Sequence, residues 1–301
     1  MEKKRSIYSF YYEWWKNIDK FIFFIIILLF ITGLFFSLVS TSLIVSDKLE
    51  TNDYTFFFKH LLFVFLGIII IFLLSSINEA KLFKFSQIIF VFSLISLLLV
   101  PIIGVEVNSA QRWIDLYFLP RFQPIELVKP FLIISISLIL SSKKYTNIYL
   151  KYLLSFFITL MIAILLAAQP DIGQTLLIFF SWSLLIFVSG INIVFLAVSS
   201  SVLFIILFFS IMLFPKFEYI KNRITSFFNT EAGTYNAQSE KAIDSITSGG
   251  YFGKGIGEGT LKNRVPEAHT DYIISVISEE FGVIAIILIL FLFLIFIYSV
   301  L

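Results

Sequence analysis

The strongest constraint on this chain is a series of long apolar stretches. A membrane-spanning helix needs about 20 consecutive, mostly apolar residues. Stretches of this kind predict about eight transmembrane helices, at residues 21–45, 56–77, 82–103, 124–141, 150–168, 172–190, 191–214 and 272–301. A chain of 301 residues that is 59% hydrophobic cannot cover so much apolar surface in one soluble core. We therefore expect an all-α, polytopic helix bundle that forms a single integral membrane domain over residues 1–301.

Charge and cysteine content narrow the classes of function. The net charge of +2 is too small to indicate binding to nucleic acid. The chain has no cysteine, which excludes disulfides and thiolate metal sites. Membrane lipid is therefore the environment that the composition predicts, and nucleic acid is not an expected partner.

The distribution of basic residues predicts the orientation of the bundle. Lysine and arginine concentrate in short cytoplasmic loops. Basic residues precede the first predicted span at Lys3, Lys4, Arg5, Lys16 and Lys20. The N-terminus is therefore predicted to be cytoplasmic, and counting spans places the lysines at 81, 84, 143, 144 and 151 on the same side. The same count places residues 104–123, 169–173 and 215–271 outside the membrane.

The loops that are predicted to lie outside also carry cations, against the usual charge rule. These cations are Arg112, Arg121, Arg223, Lys254, Lys262 and Arg264. Long loops obey the rule poorly, but the excess of positive charge indicates an anionic partner on the outer face.

The largest outer loop, residues 215–271, is rich in glycine. Seven of the 13 glycines lie between Gly233 and Gly259. Glycine permits backbone conformations that other residues avoid and a close approach to a ligand, although a flexible surface loop has the same composition. The glycine run matches neither phosphate-binding pattern, GxxxxGK[ST] or GxGxxG, and no βαβ unit surrounds it, so a nucleotide site is not expected.

The last predicted span begins with a polar face. Asp271, Ser275, Ser278 and Glu279 recur at helical spacing, so they share one side of the helix. Glu279 lies about two turns into the membrane, where an ionisable group usually faces a cavity or a partner. We interpret this face as the wall of a site that opens at the outer surface. Two alternatives remain: a capped helix start at Thr270 or Asp271, and a metal site at Glu267, His269 and Asp271.

The fourth predicted span also begins with polar residues. Glu126 and Lys129 are separated by three positions and can pair on one helix face. Pro130 interrupts the backbone hydrogen bonding there, which suits the lining of a cavity. We expect the pair to belong to one buried polar network near Asp271, with a purely structural ion pair as the alternative. Arg112 and Trp113 lie in the preceding loop that is predicted to be outside. By themselves they are typical of an anchor at the membrane interface.

Several motifs together resemble the SEDS family of peptidoglycan glycosyltransferases, and within it the FtsW-type members of alphaproteobacteria. The matching segments are AQRWIDL at 110–116, RFQPIELVK at 121–129, QPDIG at 169–173, QS at 238–239, SGG at 248–250, GKG at 253–255 and PEAHTD at 266–271. They occur in the order of the family and cover most of the chain.

The resemblance implies an activity, a location and partners. It implies polymerisation of lipid II into glycan strands outside the cytoplasmic (inner) membrane, at the division septum. It also implies a class B penicillin-binding transpeptidase of the FtsI type and other division proteins as partners. The essential aspartate of the family falls on Asp271, which we expect to be the catalytic residue.

The family's early arginine, glutamine, glutamate and lysine fall on Arg112, Gln123, Glu126 and Lys129. Together with further polar residues of the matched segments, these give the candidate substrate-binding set: Arg112, Arg121, Gln123, Glu126, Lys129, Arg223, Gln238, Ser239, Lys254, Glu267, His269 and Glu279. We assign His269 to positioning.

The chain departs from the family pattern in two respects. Members commonly have ten spans, so the resemblance implies about two further helices beyond Leu301. Many members also carry an acidic residue three positions before the proline of PEAHTD, where this chain has Asn263. An accessory acidic role at that position is therefore not carried over.

Lipid II polymerisation needs a base and positive charge. A base must take the proton of the attacking sugar hydroxyl, and cations must stabilise the departing polyprenyl pyrophosphate. Asp271 is the candidate base, and Arg112, Arg121, Lys129 and Arg223 are the candidate cations. A divalent cation, Mg²⁺ or Mn²⁺, is a further candidate for the second role.

Three other functions compete with septal polymerisation. A polymerase of the RodA type, acting in elongation, would use the same chemistry. A lipid II flippase would need polar lining through the full thickness of the membrane, whereas the polar features here cluster in the outer half. A non-enzymatic scaffold for division proteins leaves Asp271 and Glu279 unexplained.

Overall fold

The computed structural model describes most of the predicted spans and part of the outer loops. The described residues are 7–41, 55–107, 110–115, 121–144, 146–169, 171–213, 218, 221–222, 225, 237–261, 265, 268 and 272–301. Four predicted site residues, Arg223, Glu267, His269 and Asp271, lie outside them.

Helices occupy all eight positions at which spans are predicted. The described elements, in chain order, are α1 Ile7–Asn17, α2 Lys20–Thr41, α3 Thr55–Ser75, α4 Glu79–Ile103, β1 Val105–Val107, β2 Ala110–Trp113, α5 Pro124–Ser141, α6 Ile148–Ala168, α7 Ile172–Val188, α8 Ile193–Leu213, α9 Ala237–Ser248 and α10 Ile273–Val300. Of the described helices, α2 to α6 and α10 are long and apolar enough to cross a membrane, and α7 is a shorter apolar helix. The helical membrane fold is confirmed, while the count of eight spans and the orientation stay predictions.

Three short features, one hairpin and two helices, were not predicted from the sequence. Strands β1 and β2 form an antiparallel hairpin in the first loop that is predicted to lie outside, with Val105 opposite Trp113. Helix α9 lies in the segment that we expected to be loop. Helix α1 precedes the first span, and the indole nitrogen of Trp14 donates a hydrogen bond to Ser75 Oγ over 2.8 Å. All three features are too short or too polar to produce a membrane-span signal.

The chain divides into two compact units, residues 1–77 with 223–301 and residues 78–222. The prediction of a single membrane domain stays a prediction. In the second unit, a buried cluster of aliphatic side chains that includes Leu132, Ile162 and Ile186 joins helices α5, α6 and α7. Side-chain hydrogen bonds supplement this packing: Trp182 Nε1 donates to Ser155 Oγ over 3.1 Å. Such polar contacts hold helices together where lipid removes the hydrophobic driving force.

The first unit contains the interrupted helix α10. Gly282 adopts φ 76° and ψ 176°, which is not helical, so α10 consists of two helical segments on either side of this residue. The ring of Phe281 packs edge-on against Phe36 of α2, with centroids 5.4 Å apart. On the N-terminal side of the break, Val276 packs with Ala242 of α9 in a small buried cluster. The break therefore lies between two packed regions of the unit.

Candidate functional site

The break in α10 is filled by the glycine loop, which we define as residues 249–261. In an uninterrupted helix, the amides of Val283 and Ile284 would donate to the carbonyls of Glu279 and Glu280. Here Val283 N donates instead to Gly250 O over 3.0 Å, and Ile284 N donates to Tyr251 O over 3.4 Å.

The loop also satisfies the two carbonyls that the break leaves open. Lys254 N donates to Glu279 O over 2.8 Å, and Gly255 N donates to Glu280 O over 3.0 Å. Buried backbone groups must be paired, and the loop thus replaces two helical hydrogen bonds with four of its own.

The contact between loop and helix explains the glycines in this run. At Gly253, whose φ is +78°, a Cβ atom would collide with the carbonyl oxygen of Glu280. At Gly282 a Cβ atom would collide with the carbonyl oxygen of Tyr251. The expected unusual backbone conformations are confirmed, and their purpose is a close approach to α10. The alternative of a flexible surface loop does not describe residues 249–261.

Glu279 is the polar centre of this contact. Its side chain is 0% exposed. Its Oε1 atom accepts hydrogen bonds from Lys254 Nζ at 2.9 Å, from Thr260 N at 2.9 Å and from Leu261 N at 3.0 Å. Its Oε2 atom accepts one from Ser245 Oγ of α9 at 3.1 Å. The expectation that Glu279 faces a partner is confirmed, and the partners described are Lys254, the glycine loop and α9.

The polar face of α10 extends from Glu279 toward the N-terminal end of the helix. Ser275 and Ser278 are both buried. Ser278 Oγ donates to Ile246 O over 3.1 Å, and Ser275 O accepts from Ser245 Oγ over 3.2 Å. The face predicted from the spacing is confirmed over these residues, and it packs on α9. Asp271, its outermost member in the sequence, lies outside the described residues.

A second polar cluster lies in the other unit, around Arg112 of strand β2. Arg112 Nε donates to Gln169 O over 3.2 Å and lies 3.6 Å from Asp171 Oδ2. Gln123 Nε2 donates to the same Asp171 oxygen over 3.4 Å. The cluster therefore joins three predicted outer segments: the hairpin, the start of α5 and the turn between α6 and α7.

Asp171 belongs to the family motif QPDIG at 169–173 but is not one of the predicted site residues. It is the N-cap of α7, and its Oδ1 accepts a hydrogen bond from Gln174 N over 3.4 Å. An aspartate immediately before an apolar run is a signal for an N-cap. Its role as the carboxylate beside Arg112 depends on a neighbour far away in sequence and could not be read from the spacing.

Glu126 and Lys129 form the ion pair that their spacing predicts, with Lys129 Nζ 2.7 Å from Glu126 Oε2. Gln174 Nε2 donates to Glu126 Oε1 over 3.2 Å. The expectation that this pair is buried is wrong, because the Glu126 side chain is 53% exposed. The reason is its position: Pro124 begins the helix, so Glu126 lies in the first turn, at the end of α5.

The remaining predicted residues are placed in different surroundings. Arg121 is exposed and donates to Asp115 Oδ2 over 2.8 Å. Gln238 and Ser239 lie in the first turn of α9.

Among the described residues, Gln169 Nε2 and Gln174 Oε1 are buried polar atoms without a hydrogen-bond partner. Both belong to residues that contact Arg112 or Glu126 through another of their atoms.

No group of three or more histidine, cysteine, aspartate or glutamate side chains that could hold a metal ion occurs in the part of the chain that the structure describes. The trio Glu267, His269 and Asp271 lies outside that part. The described side chains therefore do not provide a divalent cation with such a site.

The fold and these clusters define a polytopic helical membrane protein with polar groups gathered at helix ends. The model of the family described as "Cell cycle protein", which comprises FtsW, RodA and SpoVE, matches residues 19–301, and the chain belongs to this family. The resemblance inferred from the motifs is thus confirmed.

One relative and two solved structures show how closely the chain follows this family. It is 34% identical over 294 residues to the probable peptidoglycan glycosyltransferase FtsW of Wigglesworthia glossinidia brevipalpis, covering 96% of this chain and 74% of that protein. A chain of a peptidoglycan synthase complex, described as coordinating polymerization and crosslinking, is 23% identical with a TM-score of 0.71, covering 94% of this chain and 77% of that one. The rod shape-determining protein RodA of Thermus thermophilus is 23% identical with a TM-score of 0.62, covering 95% of this chain and 74% of that one. The two structures show a shared fold.

Proposed function

We propose that the chain is a peptidoglycan glycosyltransferase that polymerises lipid II at the outer face of the cytoplasmic membrane. The observation that carries this proposal is the 34% identity, over 96% of the chain, with a relative named as a probable peptidoglycan glycosyltransferase. The geometry supports it, because Arg112, Gln123, Glu126 and Asp171 gather where the hairpin, α5 and α7 begin or end.

The distribution of charge favours an enzyme at one face over a flippase. In helices α4 to α7, charged residues occur only within the first two turns, as at Lys84, Lys129 and Lys151. The buried polar residues deeper in these helices are mainly serines and threonines, such as Ser93 and Thr159, whose hydroxyls donate to carbonyls of their own helix. A path for a pyrophosphate through the membrane would need polar or charged groups at that depth.

The reaction that these residues suit is glycosyl transfer at the anomeric carbon of lipid II. The oxygen of the acceptor sugar forms a bond to the anomeric carbon, and the bond from that carbon to the pyrophosphate oxygen breaks. The pyrophosphate leaves with the electron pair, and Asp271 takes the proton of the acceptor hydroxyl. We assign the stabilisation of the charge on the leaving group to Arg112 and Lys129, whose side chains are 31% and 23% exposed. A requirement for Mg²⁺ or Mn²⁺ is a separate proposal, and no step depends on it.

We assign the activity to septal synthesis, in partnership with a class B penicillin-binding transpeptidase and other division proteins. The support is that the relative with 34% identity carries the FtsW name. An elongation role of the RodA type is the alternative, since a RodA structure shares the fold. Complementation of strains depleted of either protein distinguishes the two assignments.

The outer location can be tested by labelling, because the chain has no native cysteine. Single cysteines at Ser248 and Lys144 lie on opposite predicted sides of the membrane. An impermeant thiol reagent applied to intact cells should label position 248 and spare position 144. Labelling at position 144 but not at 248 would overturn the topology.

The test of the activity is synthesis of glycan strands from labelled lipid II by the purified protein, with and without a transpeptidase partner. We expect polymer that disappears when lipid II is withheld. The same preparation in vesicles, supplied with fluorescent lipid II, tests the flippase alternative. Transbilayer movement without polymer would contradict the proposed function.

A further inference from the structure

We propose that Glu279 is a positioning residue, which fixes the glycine loop in the break of α10 and thereby sets the place of Asp271. The proposal rests on the proposed function, since Asp271 matters as the base of polymerisation. Glu279 follows Asp271 by eight positions in the sequence and is enclosed by protein groups. We therefore assign it no direct contact with substrate, in place of the substrate-binding role that the sequence suggested.

The covalent chain connects Glu279 to both ends of the segment that contains Asp271. Leu261 is the last residue of the glycine loop, and its amide donates to Glu279 Oε1 over 3.0 Å. Asp271 follows ten positions later, and α10, which carries Glu279, begins at Ile273. The segment that contains Asp271 therefore starts at a residue bonded to Glu279 and ends on the helix of Glu279. Fixing both ends of a segment restricts the positions that its members can reach.

Release of the glycine loop would cost free energy, because Glu279 would lose its hydrogen-bond donors. A carboxylate that is 0% exposed needs its hydrogen-bond donors, because an unpaired buried charge is strongly unfavourable. Lys254 Nζ, Thr260 N and Leu261 N all belong to the glycine loop. Undocking of the loop would remove these three donors together, so the charge of Glu279 favours the docked arrangement.

Docking of the glycine loop is coupled to the break in α10. The docked loop occupies the carbonyls of Glu279 and Glu280, which an uninterrupted helix would use itself. The break also requires Gly282 at φ 76° and ψ 176°, a conformation that is essentially restricted to glycine. Gly282→Ala should therefore favour a continuous helix and release the loop, without changing any charge.

Two kinds of variant therefore weaken the docking of the glycine loop by different means. Glu279→Ala removes the acceptor, and Gly282→Ala disfavours the break. Glu279→Gln is the conservative rescue, since its amide oxygen keeps the acceptor for Lys254, Thr260 and Leu261. Glu258→Gln is the matched control, because it removes an exposed carboxylate from the same loop.

The experiment combines hydrogen exchange with kinetics on the purified full chain. Amide exchange is followed for residues 253–261, and kcat and KM for labelled lipid II are measured per amount of folded protein. For Glu279→Ala and Gly282→Ala we expect exchange in the loop to rise by about tenfold or more, as for a locally opened segment. We also expect kcat to fall by about tenfold or more with a smaller change in KM, as for a displaced catalytic group. Glu279→Gln should recover part of both effects, and Glu258→Gln should match the parent.

Two results would overturn the positioning role. One is a glycine loop that keeps its protection in both Glu279→Ala and Gly282→Ala. The other is a loop that loses protection while kcat per folded protein stays at the parent value, which would leave Glu279 with a structural role. If Glu279→Ala does not fold, Gly282→Ala and Glu279→Gln decide the question. A parent protein that makes no polymer counts against the proposed function instead, while the exchange data still report whether Glu279 docks the loop.

Discussion

Two glutamate–lysine pairs of similar length lie in very different surroundings. Lys254 Nζ is 2.9 Å from Glu279 in one unit, and Lys129 Nζ is 2.7 Å from Glu126 in the other. Glu279 is 0% exposed, whereas Glu126 is 53% exposed. The distance alone therefore says little about what a pair does. Burial makes the first pair necessary for the local structure, and exposure leaves the second able to exchange its partner for a ligand.

The largest effect on stability is expected at the buried pair. Glu279→Ala leaves two loop amides, together with Lys254, which is 33% exposed, without their acceptor, and each buried donor left unsatisfied costs about 1–3 kcal/mol. Glu126→Ala is the matched substitution at the exposed pair and should change the free energy of unfolding by about 1 kcal/mol or less. Denaturation of both variants in the same detergent measures the difference. Equal losses would show that burial does not separate the pairs.

An intermediate effect on stability is expected at Asp171, which caps α7 and lies beside Arg112. Asp171→Ala should lower the free energy of unfolding by about 1–2 kcal/mol, because an N-cap acceptor is lost. Asp171→Asn keeps an oxygen for capping and removes only the charge near Arg112. A stability close to the parent for Asp171→Asn, together with a changed KM for lipid II, would assign the charge to the site. If both variants lose the same stability and leave the kinetics unchanged, Asp171 acts only within the fold.

The smallest effect on stability is expected at Lys129. Because its partner is half exposed, Lys129→Ala should change the free energy of unfolding by about 1 kcal/mol or less. Its polymerisation rate should nevertheless fall by about tenfold or more, since a cation near the leaving group is lost. Lys151→Ala, at the opposite end of the same unit, is the control and should retain the parent rate. A loss of stability in Lys129→Ala without a loss of rate would restore the structural interpretation of the pair.

The sequence predicted the long elements well, because the bilayer imposes their length and composition. Every predicted span is helical, and the spacing of Ser275, Ser278 and Glu279 correctly placed them on one face. The partner of Glu279 could not be predicted in the same way. Lys254 is 25 positions away, and only the docked loop brings the two together.

Other features were not predicted correctly from the sequence, for related physical reasons. Helix α9 is short and polar, so it gave no clear signal in the sequence. Packing against α10 stabilises it. The Glu126–Lys129 pair followed from helical spacing, but its exposure depends on where Pro124 begins the helix. The glycine run indicated unusual backbone geometry, yet nothing in its spacing showed that the loop completes a broken helix.

Glycan polymerisation is proposed to use Asp271, two positions before α10 in the sequence, as its base. Asp271→Asn tests this role most directly, because asparagine keeps the size and most of the capping capacity of aspartate but cannot take the proton. The assay is strand synthesis from labelled lipid II by the purified protein, normalised to folded protein. We predict a rate loss of about a hundredfold or more, with a loss of stability of at most about 1 kcal/mol. Polymerisation by the asparagine variant at near the parent rate would contradict the mechanism.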